Sequence, residues 1–250
     1  MSQSTLRPAL LFDSRRVFRL LLWSIMLASL MLAALPTHAA ERVDQLPFVN
    51  NYATARFKLL SMIDVGGDVS HSYGAGETVL PDRISFWLGT NGSNELVYYV
   101  QIGDAVYQRE GNGAWQRSDQ SAGGAGTQPM SAQFNLLQRN ANAILKIGSE
   151  PVNGMMTDHY QVWLSGERAL TMDAGAARGL SATERALIKQ GTYKYDFWIN
   201  PQDGFLYQQN VEFTLPASEL NGRAIPPIRS STLLTYFDIN DPNISVSAPQ

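Results

Sequence analysis

The chain has 250 residues, no cysteine and only 16% charged residues. The absence of cysteine excludes disulfides, zinc–thiolate sites and thiol nucleophiles. After residue 39 the chain holds 15 Lys and Arg residues and 21 Asp and Glu residues, a net charge of −6. Because nucleic-acid binding needs a basic face, this acidic balance argues against a nucleic-acid partner.

The first 39 residues have the three parts of a signal peptide. Four arginines precede an apolar run over residues 20–35, and Thr37 and Ala39 supply the small residues of a cleavage site. An apolar run of about 16 residues is short for a bilayer-spanning helix, which needs ~20. We therefore expect cleavage after Ala39 and an extracytoplasmic protein, either secreted, periplasmic or attached to the cell envelope. An uncleaved anchor is the alternative, and residues 14–18 also resemble a twin-arginine export signal.

Alternation of apolar and polar residues predicts that most of the exported chain is β-strand. Strands are predicted over residues 53–65, 69–80, 83–88, 95–102, 105–109, 156–164, 192–199, 205–215 and 228–239, with a short last strand at 244–246. Gly74 and Gly76 interrupt the second strand, which predicts a bulge or a tight bend there. The sequence therefore contains about ten strands.

Two segments change to a helical period. An amphipathic helix over residues 130–147, ending at Gly148, is predicted from an apolar stripe at Met130, Phe134, Leu137, Ala141 and Ile144. A second helix is predicted over residues 181–189, because Ser181 and Glu184 have the spacing of a capping box. A loop rich in Gly, Ser and Ala is predicted before the first helix, at residues 118–128.

Short turns join most consecutive strands, which predicts antiparallel pairing. Strands and helices do not alternate, which argues against a parallel α/β sheet. A large antiparallel sheet curls, and one of its faces must be covered. We therefore predict a mainly β (α+β) protein with a single domain over residues 40–250. Its sheet is a strongly curved antiparallel half-barrel, with the helices covering the concave face.

Five segments carry short motifs in a fixed order. They are GAGE…PDR at residues 74–83, VQIGDAVY…GAW at 100–115, GSEPVNG…HYQV at 148–162, FWIN…GFL at 197–206 and YFDIN at 236–240 with Ile244 and Pro249. Together they resemble the LolA-like superfamily, particularly its LppX/LprG-type lipoprotein branch. The resemblance implies a half-open barrel that holds acyl chains of lipids or lipoproteins between sheet and helices. Two features depart from it: the lipobox Cys is absent, and Pro47 interrupts the short segment where the N-terminal helix would lie.

The polar residues do not suggest catalysis. His71 and His159 are the only imidazoles after the signal, and neither is framed by a nucleophile motif. We interpret both as strand residues that face solvent. No His or carboxylate cluster has the spacing of metal ligands, so neither a metal nor a cofactor is expected. A carboxylate pair for glycoside cleavage and carbohydrate binding by exposed tryptophans remain open alternatives.

The sequence thus favours a non-catalytic exported protein that carries or chaperones a lipid or acylated molecule. The alternative is an envelope sensor or scaffold that binds a protein partner. A membrane surface is a further candidate partner. Ten residues on the more apolar side of their elements are the candidate lining of an apolar cavity: Phe57, Leu59, Ile63, Phe86, Leu88, Phe134, Leu137, Ile144, Phe197 and Phe213.

We expect the mature protein to begin at Ala40, because the small residues at positions 37 and 39 suit a signal peptidase. Intact-mass analysis of the protein exported by its own host measures this directly. A protein of full-length mass that is found in the membrane fraction would instead indicate an uncleaved anchor.

Overall fold

The computed structural model of the chain describes five stretches: residues 40–47, 49–118, 130–172, 179–220 and 222–249. The predicted signal peptide and nearly all of the predicted loop at 118–128 lie outside these residues. Within the described stretches, no helix has both the length and the apolar character needed to cross a bilayer.

Strands dominate the described chain, with three helices between them. The strands are β1 (Glu41–Arg42), β2 (Thr54–Val65), β3 (Asp68–Val79), β4 (Arg83–Thr90), β5 (Leu96–Ile102), β6 (Ala105–Glu110), β7 (Gln116–Ser118), β8 (Ala143–Val152), β9 (Met155–Ser165), β10 (Thr192–Ile199), β11 (Leu206–Leu215), β12 (Ser218–Leu220), β13 (Arg223–Ile225) and β14 (Ile228–Phe237). The helices are α1 (Met130–Asn140), α2 (Gly166–Met172) and α3 (Ala182–Gln190).

Twelve of these strands form one antiparallel sheet in the order β1-β8-β9-β10-β11-β14-β2-β3-β4-β5-β6-β7, and β12 pairs with β13 in a separate hairpin. Most neighbours in the sheet are consecutive in the chain. Three pairs are not: β1 with β8, β11 with β14, and β14 with β2. The last of these is central and runs from Ile228 opposite Val65 to Phe237 opposite Arg56. Strands β1 and β7 are the two ends, so the sheet is open. The predicted fold class, a mainly β protein with one large antiparallel sheet and covering helices, is confirmed.

The three helices pack on one face of the sheet, which we call the inner face. Residues that lie directly opposite each other on paired strands share a face. The ring of Phe134 on α1 lies 4.5 Å from the ring of Phe197 on β10. Leu137 of α1, Ala169 of α2 and Ile188 of α3 are buried in the same apolar core, the main cluster. The opposite, outer face carries the intervening residues of each strand.

The helix predicted over residues 130–147 is wrong in its second half. Helix α1 ends at Asn140, and Ala143–Val152 is strand β8, paired with β9. The backbone N–H of Asn142 donates to the carbonyl of Trp163, and its side chain accepts from the N–H of Ser165. These two bonds start the β8–β9 pairing directly after the helix. Gly148 lies inside β8, next to a register irregularity, and does not end a helix.

The second predicted helix is confirmed as α3. The hydroxyl of Ser181 accepts from the N–H of Glu184, and the Glu184 carboxylate accepts from the N–H of Ser181. This reciprocal pair satisfies two of the free donors at the helix start. Strands β1, β7, β8, β12 and β13 and helix α2 were not predicted. The short strand predicted at 244–246 is irregular chain, although Ile244 and Val246 are buried.

The bulge predicted at Gly74 and Gly76 is also wrong, because β3 keeps an unbroken register with β2 and β4. Gly76 lies on the inner face between Phe57 and Phe86. A Cβ atom on Gly76 would lie 2.4 Å from the backbone oxygen of Ser85, 2.5 Å from the Cβ of Phe86 and 2.7 Å from the Cζ of Phe57. The glycine therefore allows close approach of the β4 backbone and of two large side chains on an otherwise regular strand.

Replacing Gly76 with Ala should destabilise the protein by about 1–3 kcal/mol, because the added methyl group overpacks the space between two phenylalanines. Urea unfolding of the mature protein measures this loss. Ala75→Gly, on the outer face of the same strand, is the matched control and should cost only about 0.5–1 kcal/mol. A Gly76→Ala variant as stable as the parent would show that the space between Phe57 and Phe86 is not filled.

Candidate functional site

The structure brings all ten predicted lining residues to the inner face or to the side of α1 that covers it. Seven belong to the main cluster or pack against it: Phe57, Phe86, Phe134, Leu137, Ile144, Phe197 and Phe213. Ile144 reaches the face from strand β8 instead of from the predicted helix. The ten positions are therefore neighbours on one surface, whatever element each comes from.

Leu59 and Leu88 form a second cluster with Tyr99, on strands β2, β4 and β5. The Tyr99 ring stacks on Phe86, with 4.9 Å between ring centres. Phe86 and Leu234 pack against both clusters and so join them. The inner face is thus one apolar surface that extends from β8 to β5. Ile63 lies half-buried on the same face of β2, outside both clusters.

The segment before β2 also covers the inner face, although its described residues contain no helix. Leu46, Val49 and Tyr52 are buried in the main cluster. The N–H of Leu46 donates to the side-chain oxygen of Gln138 on α1 at 2.9 Å. We did not predict these contacts. The only sequence signal was the spacing of three between the apolar residues, which the proline obscured.

Tyrosines supply much of the inner surface that the sequence did not single out. Tyr236 of β14 lies beside Tyr52, and the side chain of Gln209 donates to its hydroxyl at 2.9 Å. Burial raises the pKa of Tyr236 to about 12 and the pKa of Tyr52 well above its ordinary value. Both phenols are therefore neutral at physiological pH, and this part of the inner face carries no charge.

A row of hydroxyl groups follows the second cluster along the strands. Thr232, Ser61, Ser72 and Thr90 lie in register across β14, β2, β3 and β4. The hydroxyls of Ser61 and Thr232 are 2.8 Å apart, and those of Ser72 and Thr90 are 3.3 Å apart. These mutual hydrogen bonds satisfy the buried groups without charge. The row therefore crosses the inner face without charge, between the second cluster and Ile63.

The prediction that both histidines face solvent holds for His71, which is exposed, but is wrong for His159. The His159 ring stacks on Trp198 on the outer face, with 4.3 Å between ring centres. Its Nε2 lies 2.9 Å from a carboxylate oxygen of Asp196, and its Nδ1 lies 3.3 Å from Glu150. Because both ring nitrogens face carboxylates, neither is available to deprotonate a nucleophile. The described stretches also contain no group of three or more His, Cys, Asp or Glu side chains arranged to hold a metal.

Asp196 is fully buried at the centre of this outer-face network. It accepts hydrogen bonds from His159, Gln161 and Asn210, and the ammonium of Lys194 is 3.5 Å away. Burial raises the pKa of Asp196, but the His159 bond and the Lys194 charge outweigh burial and hold the pKa below its ordinary value. The network therefore stabilises β9, β10 and β11 from the side opposite the helices.

No family model matches the chain, and a search of curated proteins also finds no match. Solved structures do resemble it. Lipoprotein LppX of Mycobacterium tuberculosis has 12% identity and a TM-score of 0.47, over 78% of this chain and 90% of that one. LprF of Mycobacterium bovis has 7% identity and a TM-score of 0.43, over 79% and 90%.

A LolA superfamily protein from Nitrosomonas europaea has 9% identity and a TM-score of 0.29, over 80% of this chain and 90% of that one. At these identities and TM-scores the likeness concerns the course of the chain and says nothing about a ligand.

Asp196→Asn should lower the free energy of unfolding at pH 7 by about 1–3 kcal/mol, because it removes the buried carboxylate that accepts from His159, Gln161 and Asn210 and faces the Lys194 ammonium. A carboxyl whose pKa is lowered by folding stabilises the protein above its unfolded value of about 3.9, and this contribution is lost as the pH falls through the lowered value. The difference between variant and parent should therefore shrink below about pH 4.

Denaturant unfolding at pH 7 and at pH 3 checks this sign. Asp68→Asn, at the exposed start of β3, is the control and should change stability little at either pH. A cost for Asp196→Asn that is the same at both pH values would contradict the electrostatic role.

Proposed function

We propose that the chain is an exported, non-catalytic carrier or chaperone that holds a lipid or acylated molecule against the inner face. The observation that carries the proposal is the extent of the apolar surface. The helices make their main contacts with β9, β10 and β11, whereas the second cluster lies on β2, β4 and β5. Apolar side chains therefore continue across the sheet beyond the strands on which the helices pack.

An acyl chain lying between the helices and β2–β5 would exchange water for these side chains. Burying one methylene group gains about 0.8 kcal/mol, so ten of them supply roughly 8 kcal/mol. Association and ordering of the cargo offset part of this gain. The remainder suffices for binding without a charged anchor, which suits an inner face whose buried phenols and hydroxyl row are neutral.

Release of a cargo held in this way would require the helices to move. Helices α2 and α3 pack on each other, and α1 contacts α2. The N–H of Leu46, which donates to Gln138, ties α1 to the segment before β2. Opening on the β2–β5 side would leave the main contacts of the helices with β9, β10 and β11 in place. We therefore place the cargo path on that side.

The mature protein purified from its own host should carry a bound acylated molecule. Native mass spectrometry followed by lipid extraction measures the added mass and identifies its class. A bare protein mass, together with no uptake of a fluorescent fatty-acid probe, would contradict the proposal and favour a scaffold that binds a protein partner.

Neighbouring leucines on β2 give a matched pair of variants. Leu59 is 2% exposed on the inner face, whereas Leu60 is 57% exposed on the outer face. Leu59→Gln should weaken fluorescent fatty-acid binding at least tenfold, because it places an amide in the apolar surface, and Leu60→Gln should leave it unchanged. Fluorescence titration measures both affinities.

Ile63→Gln, at a half-buried inner position, serves if Leu59→Gln does not fold, and circular dichroism establishes the folding of each variant. Equal probe affinities in the inner-face and outer-face variants would show that the inner face is not the binding site.

A further inference from the structure

Large apolar side chains also lie together on the outer face, across β14 and β2–β5. We call this group the outer patch: Leu60, Val69, Tyr73, Trp87, Tyr98 and Leu233. Leu233, Leu60 and Tyr73 are in register on three adjacent strands, and Trp87 and Tyr98 are opposite each other on the next two. The rings of Tyr73 and Trp87 meet edge to face at 5.9 Å.

The outer patch is open to solvent. Leu60, at its centre, is 57% exposed and Tyr73 beside it 39%, whereas Val69, 52% exposed, lies at the edge opposite Asp64, with the exposed His71 between it and Tyr73 on β3. A sheet face turned to water normally carries polar residues, and grouped exposed apolar side chains mark a contact surface. The neighbouring part of the same face, on β9–β11, differs because its central residues, such as Asp196 and Trp198, are buried.

Positive charge borders the outer patch. The outer face of β14 and β2–β6 carries five Lys or Arg residues (Arg56, Lys58, Arg83, Arg109 and Arg229) and two acidic residues (Asp64 and Glu77). The exported chain as a whole has the opposite balance, with a net charge of −6. Three more carboxylates, Asp82, Asp238 and Asp241, lie beside Arg83 and Arg56 at the ends of these strands, so the charge that bears on a partner is that of the cations without an ion pair.

The cations on this face differ in their availability. Glu77, Asp238 and Asp241 neutralise Arg56. Lys58, Arg109 and Arg229, by contrast, form no ion pair with a carboxylate in the described part of the chain. Lys58 and Arg229 are exposed, although Arg229 lies opposite Asp64, and the half-buried Arg109 guanidinium lies 4.5 Å from the centre of the Tyr98 ring and 4.9 Å from that of Trp115. Lys58 thus flanks Leu60 on β2, and Arg109 covers Tyr98.

We propose that the outer patch docks the protein onto an anionic lipid bilayer. Tyrosine and tryptophan suit the boundary between headgroups and acyl chains, because each has an apolar body and a polar tip. Leucine and valine insert below that boundary, and Lys58, Arg109 and Arg229 attract anionic headgroups. Docking by the outer face leaves the inner face and its helices free, so this inference does not depend on the proposed cargo.

Vesicle sedimentation of the mature protein tests the proposal. Phosphatidylcholine vesicles with 30% phosphatidylglycerol should bind the protein, and pure phosphatidylcholine vesicles should bind it at least fivefold more weakly. Raising the salt from 50 to 300 mM should release most of the bound protein, because salt screens exposed charges. Leu60→Gln and Val69→Gln should each reduce vesicle binding at least fivefold. Lys58→Gln should reduce only the share of the binding that depends on phosphatidylglycerol.

Trp163→Gln is the matched control, since Trp163 is an exposed aromatic on the outer face of β9, outside the patch. It should bind vesicles like the parent.

The fluorescent fatty-acid affinity of Leu60→Gln separates docking from cargo uptake. An unchanged fatty-acid affinity with lost vesicle binding supports docking, and loss of both overturns it. Absence of binding to anionic vesicles also overturns the proposal. A dimer in sedimentation velocity that Leu60→Gln dissociates would instead assign the patch to a second copy of the chain.

Discussion

The pairing of β14 with β2 joins the two halves of the sheet, and the inner surface depends on it. Strands β2 to β7 form a series of local hairpins, and β8–β9 and β10–β11 pair with their neighbours in the chain, but the last long strand must return to β2 across most of the chain. Such a contact costs loop-closure entropy before it contributes any burial. What offsets this cost is the packing of Tyr236 and Leu234 beside Phe57 and Leu59, which connects the main cluster to the second cluster.

Charge and polarity divide the molecule by face and by half. The inner face buries neutral groups only at its centre, where tyrosines and the hydroxyl row hydrogen-bond to each other or to amides. The outer face of β9–β11 buries charges, but in a closed network around Asp196 in which each ion has a partner. The outer face of β2–β5 has neither arrangement, and its apolar side chains remain in water. A carrier that collects cargo on one face and rests on a bilayer with the other would need this division.

Strand β2 shows how closely the two proposed surfaces are coupled. Leu59 and Leu60 are adjacent in the chain and point to opposite faces, because side chains alternate along a strand. A shift of the β2 register by one residue would exchange the cargo surface with the outer patch. The unbroken register on both sides of β2 and β3 therefore keeps the two proposed surfaces on opposite faces.

Local patterns in the sequence determined the strands, the capping box of α3 and the apolar side of each element, because alternation and capping depend only on near neighbours. The end of α1 was different: Ile144 continues the helical spacing of Phe134 and Leu137, and only pairing of Asn142 with β9 decides that a strand begins there. Likewise, nothing near His159 in sequence indicates Glu150 and Asp196 as partners, since the sheet brings them together. The sequence thus determined which residues are apolar and their periodicity, whereas long-range strand pairing decided which of them meet and which face stays open to water.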